Sequence, residues 1–264
     1  MNMFGQIAKL SLACALAGGV SLAVLQPAAG EERSALKEKR HRVAVGFGAW
    51  GVRSPLEGAD DEPESGLFPY LSYENDWLSV DPSGAAVTLL GNDHFALQGV
   101  VAPRWLFVDP DDSAIHDDLK RKTGVDLGAR LAAMSGPLSA SIEYRGDVSD
   151  RSNGHEATGV LGAEIELPGR GTLGLKGGAY WRDSKLSTYL YGVFPDEARA
   201  GRPAYRVKEG FTPFAGASVS YPVIDKVEVV VAAEAEFLPE RIADSPIIAR
   251  KVVPAAFIGV FYVF

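Results

Sequence analysis

Apolar and polar side chains alternate with a period of two along most of the chain after residue 42. In 227–237 the residues at odd positions are all apolar, while their neighbours, such as Glu228, Glu234 and Glu236, are mostly polar. Successive side chains of a strand point to opposite faces, so each such segment has one apolar and one charged face. The same alternation occurs in 125–131, 138–145, 156–167 and 172–182.

Short turns separate these segments on one side of the predicted sheet, and longer connections separate them on the other. The turns are Ser135-Gly136-Pro137, Pro168-Gly169-Arg170-Gly171 and Ile224-Asp225. The longer connections are 51–66, 108–122, 149–155, 183–209 and 239–249. Short turns at one end and long loops at the other are typical of a transmembrane β-barrel. A soluble β-sandwich is the alternative, since its strands also alternate.

Both ends of the chain favour the barrel. Residues 10–25 are uncharged and are followed by small residues and then by Glu31-Glu32, which predicts a secretory signal peptide over 1–30, cleaved after Gly30. A membrane anchor is the alternative, but the apolar run is shorter than the ~20 residues that span a bilayer. At the other end, an alternating strand finishes on an aromatic residue and resembles the outer-membrane assembly signal; its apolar face holds Ile258, Val260, Tyr262 and Phe264.

The sequence therefore predicts an all-β fold: a transmembrane antiparallel β-barrel over 42–264, preceded by a periplasmic tail over 31–41, in the outer membrane of a Gram-negative bacterium. Bacterial single-chain barrels have an even number of strands. Twelve strands are predicted, or ten if the short pair 77–81 and 85–90 is only a turn. The predicted strands are 42–50, 67–74, 77–81, 85–90, 94–107, 123–133, 138–148, 156–167, 172–182, 210–222, 226–238 and 248–264.

Composition limits the function. The chain has 264 residues, with 26 Lys and Arg against 34 Asp and Glu, so the net charge is −8. This balance argues against nucleic acid as a partner, since binding needs basic side chains to neutralise phosphates. The predicted barrel makes outer-membrane lipid its expected surroundings. The single cysteine, Cys14, falls in the predicted signal peptide, which suits an extracytoplasmic chain without a disulfide framework.

The charged face of each strand must point into the barrel, because a lone Arg or Lys in the membrane midplane costs ~2–4 kcal/mol. Both signs occur, with acids in excess. The inward set suggests either a cation-preferring pore or a lumen closed by paired charges, and the closed lumen is favoured. The predicted inward residues are Arg104, Asp126, Arg130, Glu143, Arg145, Asp147, Glu156, Glu164, Glu166, Lys176, Arg182, Glu228, Glu234 and Glu236.

Candidate binding and catalytic groups are few. Acidic clusters in the loops 51–66 and 108–122 could bind Ca²⁺ but lack EF-hand spacing, so solvated loops are favoured. Ser152, His155 and Glu156 hold the residue types of an acyl-transfer triad, yet neighbours in one short loop rarely reach that geometry. We expect no enzyme activity, no cofactor and no metal site. The acidic residues are Glu57, Asp60, Asp61, Glu62, Glu64, Asp109, Asp111, Asp112, Asp117 and Asp118.

Aromatic residues near strand ends could form the interfacial girdles of a barrel or could simply be packed. They are Trp77, Trp105, Trp181 and Tyr221.

One stretch resembles the MipA/OmpV family, named for MltA-interacting protein. It runs Tyr189-Leu190-Tyr191-Gly192-Val193, then Pro195-Asp196-Glu197-Ala198, then Gly201, Tyr205 and Glu209-Gly210. Asp244-Ser245-Pro246-Ile247 resembles a second element, and Ser54-Pro55 with Glu57-Gly58 resembles a third that lacks its aromatic residue here.

The resemblance implies an outer-membrane barrel with no catalytic residues. For the founding member it implies a scaffold that links a lytic murein transglycosylase to a murein synthase. We therefore expect a scaffold or interaction protein of the outer membrane that tethers such peptidoglycan enzymes. Its charged tail 31–41 either docks on a partner or is a plain solvated segment. A passive pore, a surface adhesion role of 183–209 and, less favoured, an outer-membrane lipid hydrolase stay open.

Overall fold

Twelve antiparallel strands form a closed barrel in which each strand pairs with its neighbours in sequence and the last strand pairs with the first. The computed structural model describes residues 41–60, 62–92, 94–106 and 113–264. The predicted signal peptide, tail residues 31–40 and the acidic loop residues Asp61, Asp109, Asp111 and Asp112 lie outside these residues.

The strands follow the predicted order with small shifts at their ends. Their bounds are β1 Arg42–Val52, β2 Glu64–Glu74, β3 Leu78–Asp81, β4 Gly84–Gly91, β5 Phe95–Arg104, β6 Gly124–Ser135, β7 Leu138–Asp147, β8 His155–Glu166, β9 Thr172–Arg182, β10 Gly210–Ile224, β11 Val227–Phe237 and β12 Val252–Val263.

The alternation of the sequence becomes the two faces of the wall. On β11, Val231 and Phe237 are exposed on the outer face, whereas Glu228, Glu234 and Glu236 are buried in the lumen. The other strands behave alike, so the predicted inward set is confirmed. Glu166 is the one member of that set that is exposed, because it ends β8 at the rim of the barrel.

The short hairpin is a pair of true strands, so the count is twelve and not ten. β4 pairs with β5 over most of its length, but β3 has only four residues. It meets β2 in two residue pairs, Tyr73 with Val80 and Glu74 with Ser79. The barrel therefore closes around this point through a very short contact.

Three strand ends differ from the prediction by three residues or more, and one of them is the end of β5, which stops at Arg104 and not at 107. β2 begins at Glu64, three residues earlier than expected, because 64–66 continue the ladder with β1. β12 begins at Val252, not at 248, because 248–250 bind the first loop instead and the carbonyl oxygen of Lys251 accepts from the N–H of Leu238. Ile248 forms a bridge with Leu56, and the N–H groups of Ala249 and Arg250 donate to the carbonyl oxygen of Pro55.

Short turns lie at one end of the barrel and the long loops at the other, as predicted, except that the two-residue turn between β3 and β4 falls on the long-loop side. The turn between β6 and β7 has two residues, Gly136 and Pro137, and Gly136 adopts a φ of 58° that suits glycine. Within the described parts of the loops there are two α-helices, α1 Ser184–Tyr191 and α2 Glu240–Ala243. No helix in the described ranges is long and apolar enough to cross a membrane. Since short turns face the periplasm in such barrels, the long loops lie at the extracellular end.

Candidate functional site: the lumen and its loop plug

Arg182 is the centre of the charged half of the lumen. Its side chain is completely buried at the extracellular end of β9 and donates to Glu156 on β8 at 2.7 Å and to Glu236 on β11 at 2.6 Å. The guanidinium carbon also lies 4.5 Å from the ring centroid of Tyr180. Two carboxylates and an aromatic face thus replace the water that the cation loses.

The network extends from Glu156 towards β5. Arg145 lies 3.0 Å from Glu156 and 2.9 Å from Glu143, and Arg130 donates to Glu143 at 2.6 Å. Arg104 pairs with Asp126 and lies 3.5 Å from Glu156.

Positive and negative side chains are equal in number in this charged half of the lumen. Lys176 pairs with Glu234, which adds a fifth cation and a fifth carboxylate to the network. The cations are Arg104, Arg130, Arg145, Lys176 and Arg182, and the carboxylates are Asp126, Glu143, Glu156, Glu234 and Glu236. We name these ten residues the charge network. The acidic excess that suggested a cation-preferring pore therefore does not occur within the charge network.

The opposite half of the lumen is apolar. Phe257 and Phe261 of β12 have ring centroids 6.2 Å apart, and each faces an aromatic ring of β2. Phe68 lies 6.1 Å from Phe257, and Tyr70 lies 4.6 Å from Phe261. We name these four residues the aromatic wall. The lumen thus has a charged side on β5–β11 and an aromatic side on β2 and β12.

Helix α1 folds into the extracellular mouth of the barrel. Asp183 caps its first turn by accepting from the N–H of Leu186 at 2.8 Å. At its other end, the Tyr191 hydroxyl accepts from Arg182 at 3.1 Å and donates to Glu236 at 3.2 Å. The helix is therefore bonded directly to the charge network.

Apolar residues of several loops pack around α1 and complete the closure. These residues form one buried cluster that continues down the lumen onto the aromatic wall. We name α1 and the surrounding segments 53–60, 113–123, 192–209 and 238–251 the loop plug. Its buried side chains include Leu56, Leu119, Leu186, Leu190, Val207, Ile242 and Ile247.

Two arginines clamp the loops of the plug together. Arg121 pairs with Glu197, donates to the carbonyl oxygen of Gly192 at 3.1 Å, and lies 5.1 Å from the ring centroid of Phe194. Burial opposes ionisation of Glu197, but the hydrogen bonds from Arg121 and the Phe194 N–H leave the pKa of this carboxyl below its usual value.

Arg202 makes the second clamp. It donates to both carboxylate oxygens of Asp118 at 2.6 Å and to the carbonyl oxygen of Glu197 at 2.7 Å. Its hydrogen bonds lower the pKa of Asp118 to about 2. His116 lies 3.3 Å from Arg202, and burial together with that guanidinium lowers the pKa of His116.

The motifs that resembled the family form much of this plug. Tyr189 and Tyr191 lie on α1, Glu197 is the partner of Arg121, and Val193 forms a bridge with Tyr205. Gly192 follows α1 so closely that a Cβ would lie 2.7 Å from the carbonyl oxygens of Thr188 and Tyr205. The spacing that looked familiar in the sequence thus reflects a packed closure.

The second and third motifs meet in the same closure. Ile247 is buried in the plug, and its carbonyl oxygen accepts from the N–H of Glu57 at 2.9 Å. Ser54 is also buried, and its carbonyl oxygen accepts from Arg250.

Ser152, His155 and Glu156 do not come together as a triad. The Ser152 hydroxyl donates to Asp147, His155 bonds Asp183 at 3.1 Å on the outer side, and Glu156 points into the lumen. His155 and Glu156 are successive residues of β8, so their side chains leave on opposite faces.

Among the described residues, the acidic loops form no group of three or more Asp, Glu or His that could hold a metal ion. Asp118 is neutralised by Arg202 and lies 3.4 Å from Arg199. The aromatic residues Trp77, Trp105 and Tyr221 are exposed beside strand ends, and Trp181 is half-buried near the end of β9, positions that suit an interfacial girdle.

An apolar outer face, a charged interior and closure through the last strand define a transmembrane β-barrel of the outer-membrane type. The chain belongs to the MipA family: the family model described as MltA-interacting protein MipA matches residues 45–264.

Curated relatives agree with this assignment. The outer membrane protein YiaT of Escherichia coli strain K12 is 26% identical over 213 residues, covering 79% of this chain and 85% of that protein. OmpV of Vibrio cholerae is 27% identical over 208 residues, covering 78% and 80%. The protein is therefore located in the outer membrane of a Gram-negative bacterium.

Solved structures of similar fold include an outer membrane channel from Pseudomonas putida F1. It is 11% identical, with a TM-score of 0.45, and the match covers 91% of this chain and all of that one. The NanC porin matches with a TM-score of 0.41 and the same identity over 84% of this chain and 99% of that one.

Proposed function

We propose that this protein is a non-enzymatic scaffold of the outer membrane, anchored by a barrel whose mouth is closed, and not an open diffusion pore. The observation that supports the closed mouth is helix α1, six of whose eight residues are buried, with Tyr191 bonded to the charge network below. A channel for polar solutes would need that space for water.

The periplasmic side supports a docking role for the tail. Of the described residues, those that join strands at this end form short turns, such as Gly136-Pro137 and Asp225-Lys226. Short turns offer little area for a partner, since stable interfaces bury about 800 Å² on each side. The tail predicted from the sequence over 31–41 has more residues than these turns and carries both charge signs. We infer that it follows a cleaved signal peptide and contacts the partner.

The partner class follows from the family description. The matched family is described as interacting with MltA, and the resemblance implies a lytic murein transglycosylase and a murein synthase as partners. Crosslinking in intact envelopes, followed by identification of captured proteins, tests this proposal. Capture of a murein enzyme by the full chain, and its loss when 31–40 are deleted, is the expected result. Capture that is unchanged by the deletion would remove the tail from the proposal.

Conductance of the purified barrel in planar bilayers tests the closed mouth. We expect the folded protein to be silent and a variant with 184–207 replaced by a short Gly-Ser linker to conduct. The double variant Lys185→Ala, Arg206→Ala is the control, because both side chains are exposed on the plug surface and the helix stays in place. Ion conductance by the intact protein would favour the pore instead.

A further inference from the structure

The outer face of the barrel has a groove in its extracellular half. Its volume is about 410 Å³, and four small residues of β8 and β9 form its floor, namely Ala157, Gly159, Gly177 and Ala179. Gly159 and Ala179 are paired in the ladder between the two strands. At roughly 30 Å³ for a water-sized group, the space holds about a dozen such groups. We name it the wall groove.

Large apolar side chains border the wall groove. Trp181 and Phe211, which are paired neighbours on β9 and β10, lie at its extracellular end, whereas Leu161 lies at its lower end and Ile142 flanks it on β7. From Trp181 to Gly177 the groove follows four residues of β9, roughly 14 Å at about 3.4 Å per residue. This depth is about half of the ~25 Å apolar band of such barrels. The wall groove therefore lies in the outer leaflet.

The packing of the protein itself does not require either glycine of the floor. A Cβ at Gly159 would have no other atom within 4 Å, and one at Gly177 would contact only the carbonyl oxygen of Phe214, at 3.8 Å. Neither residue has a φ in the left-handed region. A glycine inside a strand weakens the strand and often marks the close approach of a ligand. The two glycines thus leave a space that a molecule outside the chain can fill.

Two cations lie above the extracellular end of the wall groove. Arg206 is exposed and donates to the hydroxyl of Ser184 at 3.1 Å, which places its guanidinium two residues beyond the end of β9. Lys185 is exposed next to Ser184. Neither cation forms an ion pair with a residue that the structure describes. Both can therefore pair with an anionic head group.

The loop segments around the wall groove contain acids as well. In 148–154, 183–185, 206–210 and 238–241 the exposed charges are four cations and three carboxylates, namely Arg151, Lys185, Arg206 and Lys208 against Asp150, Glu209 and Glu240. Asp183 is only partly exposed, and it accepts from the N–H of Leu186 and lies 3.1 Å from His155. The balance is slightly positive and is most positive at Arg206 and Lys185, which suits a phosphate.

We propose that the wall groove binds lipopolysaccharide. One acyl chain lies against Gly159 and Gly177, and a phosphate of the head group lies beside Arg206 and Lys185. The depth of the groove favours this lipid, because the outer leaflet of the outer membrane consists mainly of phosphorylated glycolipid. The proposal does not depend on the scaffold role, since neither murein-enzyme capture nor conductance measures lipid binding to the outer wall.

Native mass spectrometry of the folded barrel tests the proposal. The protein is refolded from urea into detergent, so that it carries no cellular lipid. It is then titrated with diphosphoryl lipid A, with the same lipid after removal of both phosphates, and with dipalmitoyl phosphatidylglycerol. We expect one molecule of diphosphoryl lipid A to bind, about fivefold more tightly than either of the other lipids.

Two glycine variants test the chain site. Gly159→Leu and Gly177→Leu each fill the floor with a side chain for which the barrel has room, and each should weaken binding of diphosphoryl lipid A about tenfold. Gly99→Leu is the matched control, because Gly99 lies on the outer face of β5 and a Cβ there would contact only Leu89, at 4.0 Å. Heat-modifiable mobility in gel electrophoresis checks that each variant is folded.

Arg206→Gln tests the head-group site. It should reduce the preference for the phosphorylated over the dephosphorylated lipid from fivefold to about twofold. Lys122→Gln, which removes an exposed cation just before β6, should leave that preference unchanged.

Three outcomes would each contradict the proposal. Binding by folded Gly159→Leu and Gly177→Leu as tight as by Gly99→Leu would overturn the wall groove as the chain site. Equal binding of the phosphorylated and dephosphorylated lipids would overturn the head-group site. Phosphatidylglycerol that binds as tightly as diphosphoryl lipid A would overturn the assignment to lipopolysaccharide.

Discussion

At the residue scale, Arg182 connects the charge network of the lumen to helix α1 of the loop plug. It is fully buried, it joins β9 to carboxylates of β8 and β11, and it donates to the Tyr191 hydroxyl of α1. One guanidinium therefore connects β8, β9 and β11 to the closing helix α1. A planar cation with several donors is suited to this task, because a lysine could not reach all of these acceptors.

Replacing Arg182 should destabilise the barrel strongly. Arg182→Met leaves Glu156 and Glu236 buried with one cation fewer, and breaking a buried pair in this way costs about 3–5 kcal/mol. Arg151→Met removes an exposed arginine from the neighbouring loop and should change little. Urea unfolding of both variants in lipid vesicles measures the difference. Equal stability of the two would show that the charge network contributes nothing at this position.

His116 should make the plug sensitive to acid. Its surroundings are Arg202 and Arg199, opposed by Glu57 and Asp118, and burial together with Arg202 lowers the pKa of the folded state below the usual 6.5. The folded state then binds fewer protons at His116 than the unfolded state does. The stability that neutral His116 contributes to the plug is therefore fully present above about pH 6.5 and is lost as the pH falls towards the folded pKa. Hydrogen exchange of 113–119 should accelerate over that window.

His116→Gln should remove this pH dependence while leaving the exchange near neutral pH similar. His41 provides the comparison, because it lies at the opposite end of the barrel and bonds Tyr73, so His41→Gln should leave the exchange of 113–119 unchanged. An acid response that persists in His116→Gln would assign the sensitivity to another group.

At the element scale, α1 is the part of the fold that hydrophobic periodicity did not reveal. Its eight residues include Ser, Thr and two Tyr, which are weak helix formers, and the segment was predicted only as a long connection. Asp183 just before it was the available signal, since aspartate is a preferred N-cap. Packing against Ile242 and Val207, far along the chain, stabilises the helix.

Removing the N-cap should loosen α1 without unfolding the barrel. Asp183→Ala loses the bond to the N–H of Leu186, at a cost of about 0.5–2 kcal/mol. Amide exchange in 186–191 should accelerate by the corresponding factor, while exchange in β6 and β7 should not change. Asp196→Ala removes an exposed carboxylate from the same loop and serves as the control. Equal exchange in the two variants would contradict the capping role.

At the scale of the whole molecule, the lipid determines the outer face. Leu161 lies near the middle of β8 and is 70% exposed. Leu161→Arg should destabilise the barrel by about 2–4 kcal/mol, whereas Val223→Arg, on the periplasmic end of β10, should cost about 0–1 kcal/mol. Equilibrium unfolding in vesicles checks this. Equal costs at the two depths would contradict the assigned position of the membrane.

The sequence predicted the faces, the strand order and the positions of the long loops, because alternation depends only on neighbouring residues. It did not predict which charges pair. Arg182 and Glu236 are 54 positions apart, and Arg121 and Glu197 are 76 apart, so only the closed barrel brings them together. The acidic excess counted along the strands suggested a pore for the same reason, since a count of charges contains no pairing.

The contact between β2 and β3, which has only two residue pairs, indicates where the polypeptide could be circularly permuted. β1 and β12 meet in nine residue pairs, and the N–H of Phe264 donates to the carbonyl oxygen of Val43, so the first and last strands are firmly joined side by side. A circularly permuted gene that links 264 to 42 and starts at Asp76 would interrupt the chain at its weakest lateral contact. Such a permutant should insert and fold with little loss, whereas one cut between β8 and β9, which share eleven pairs, should not.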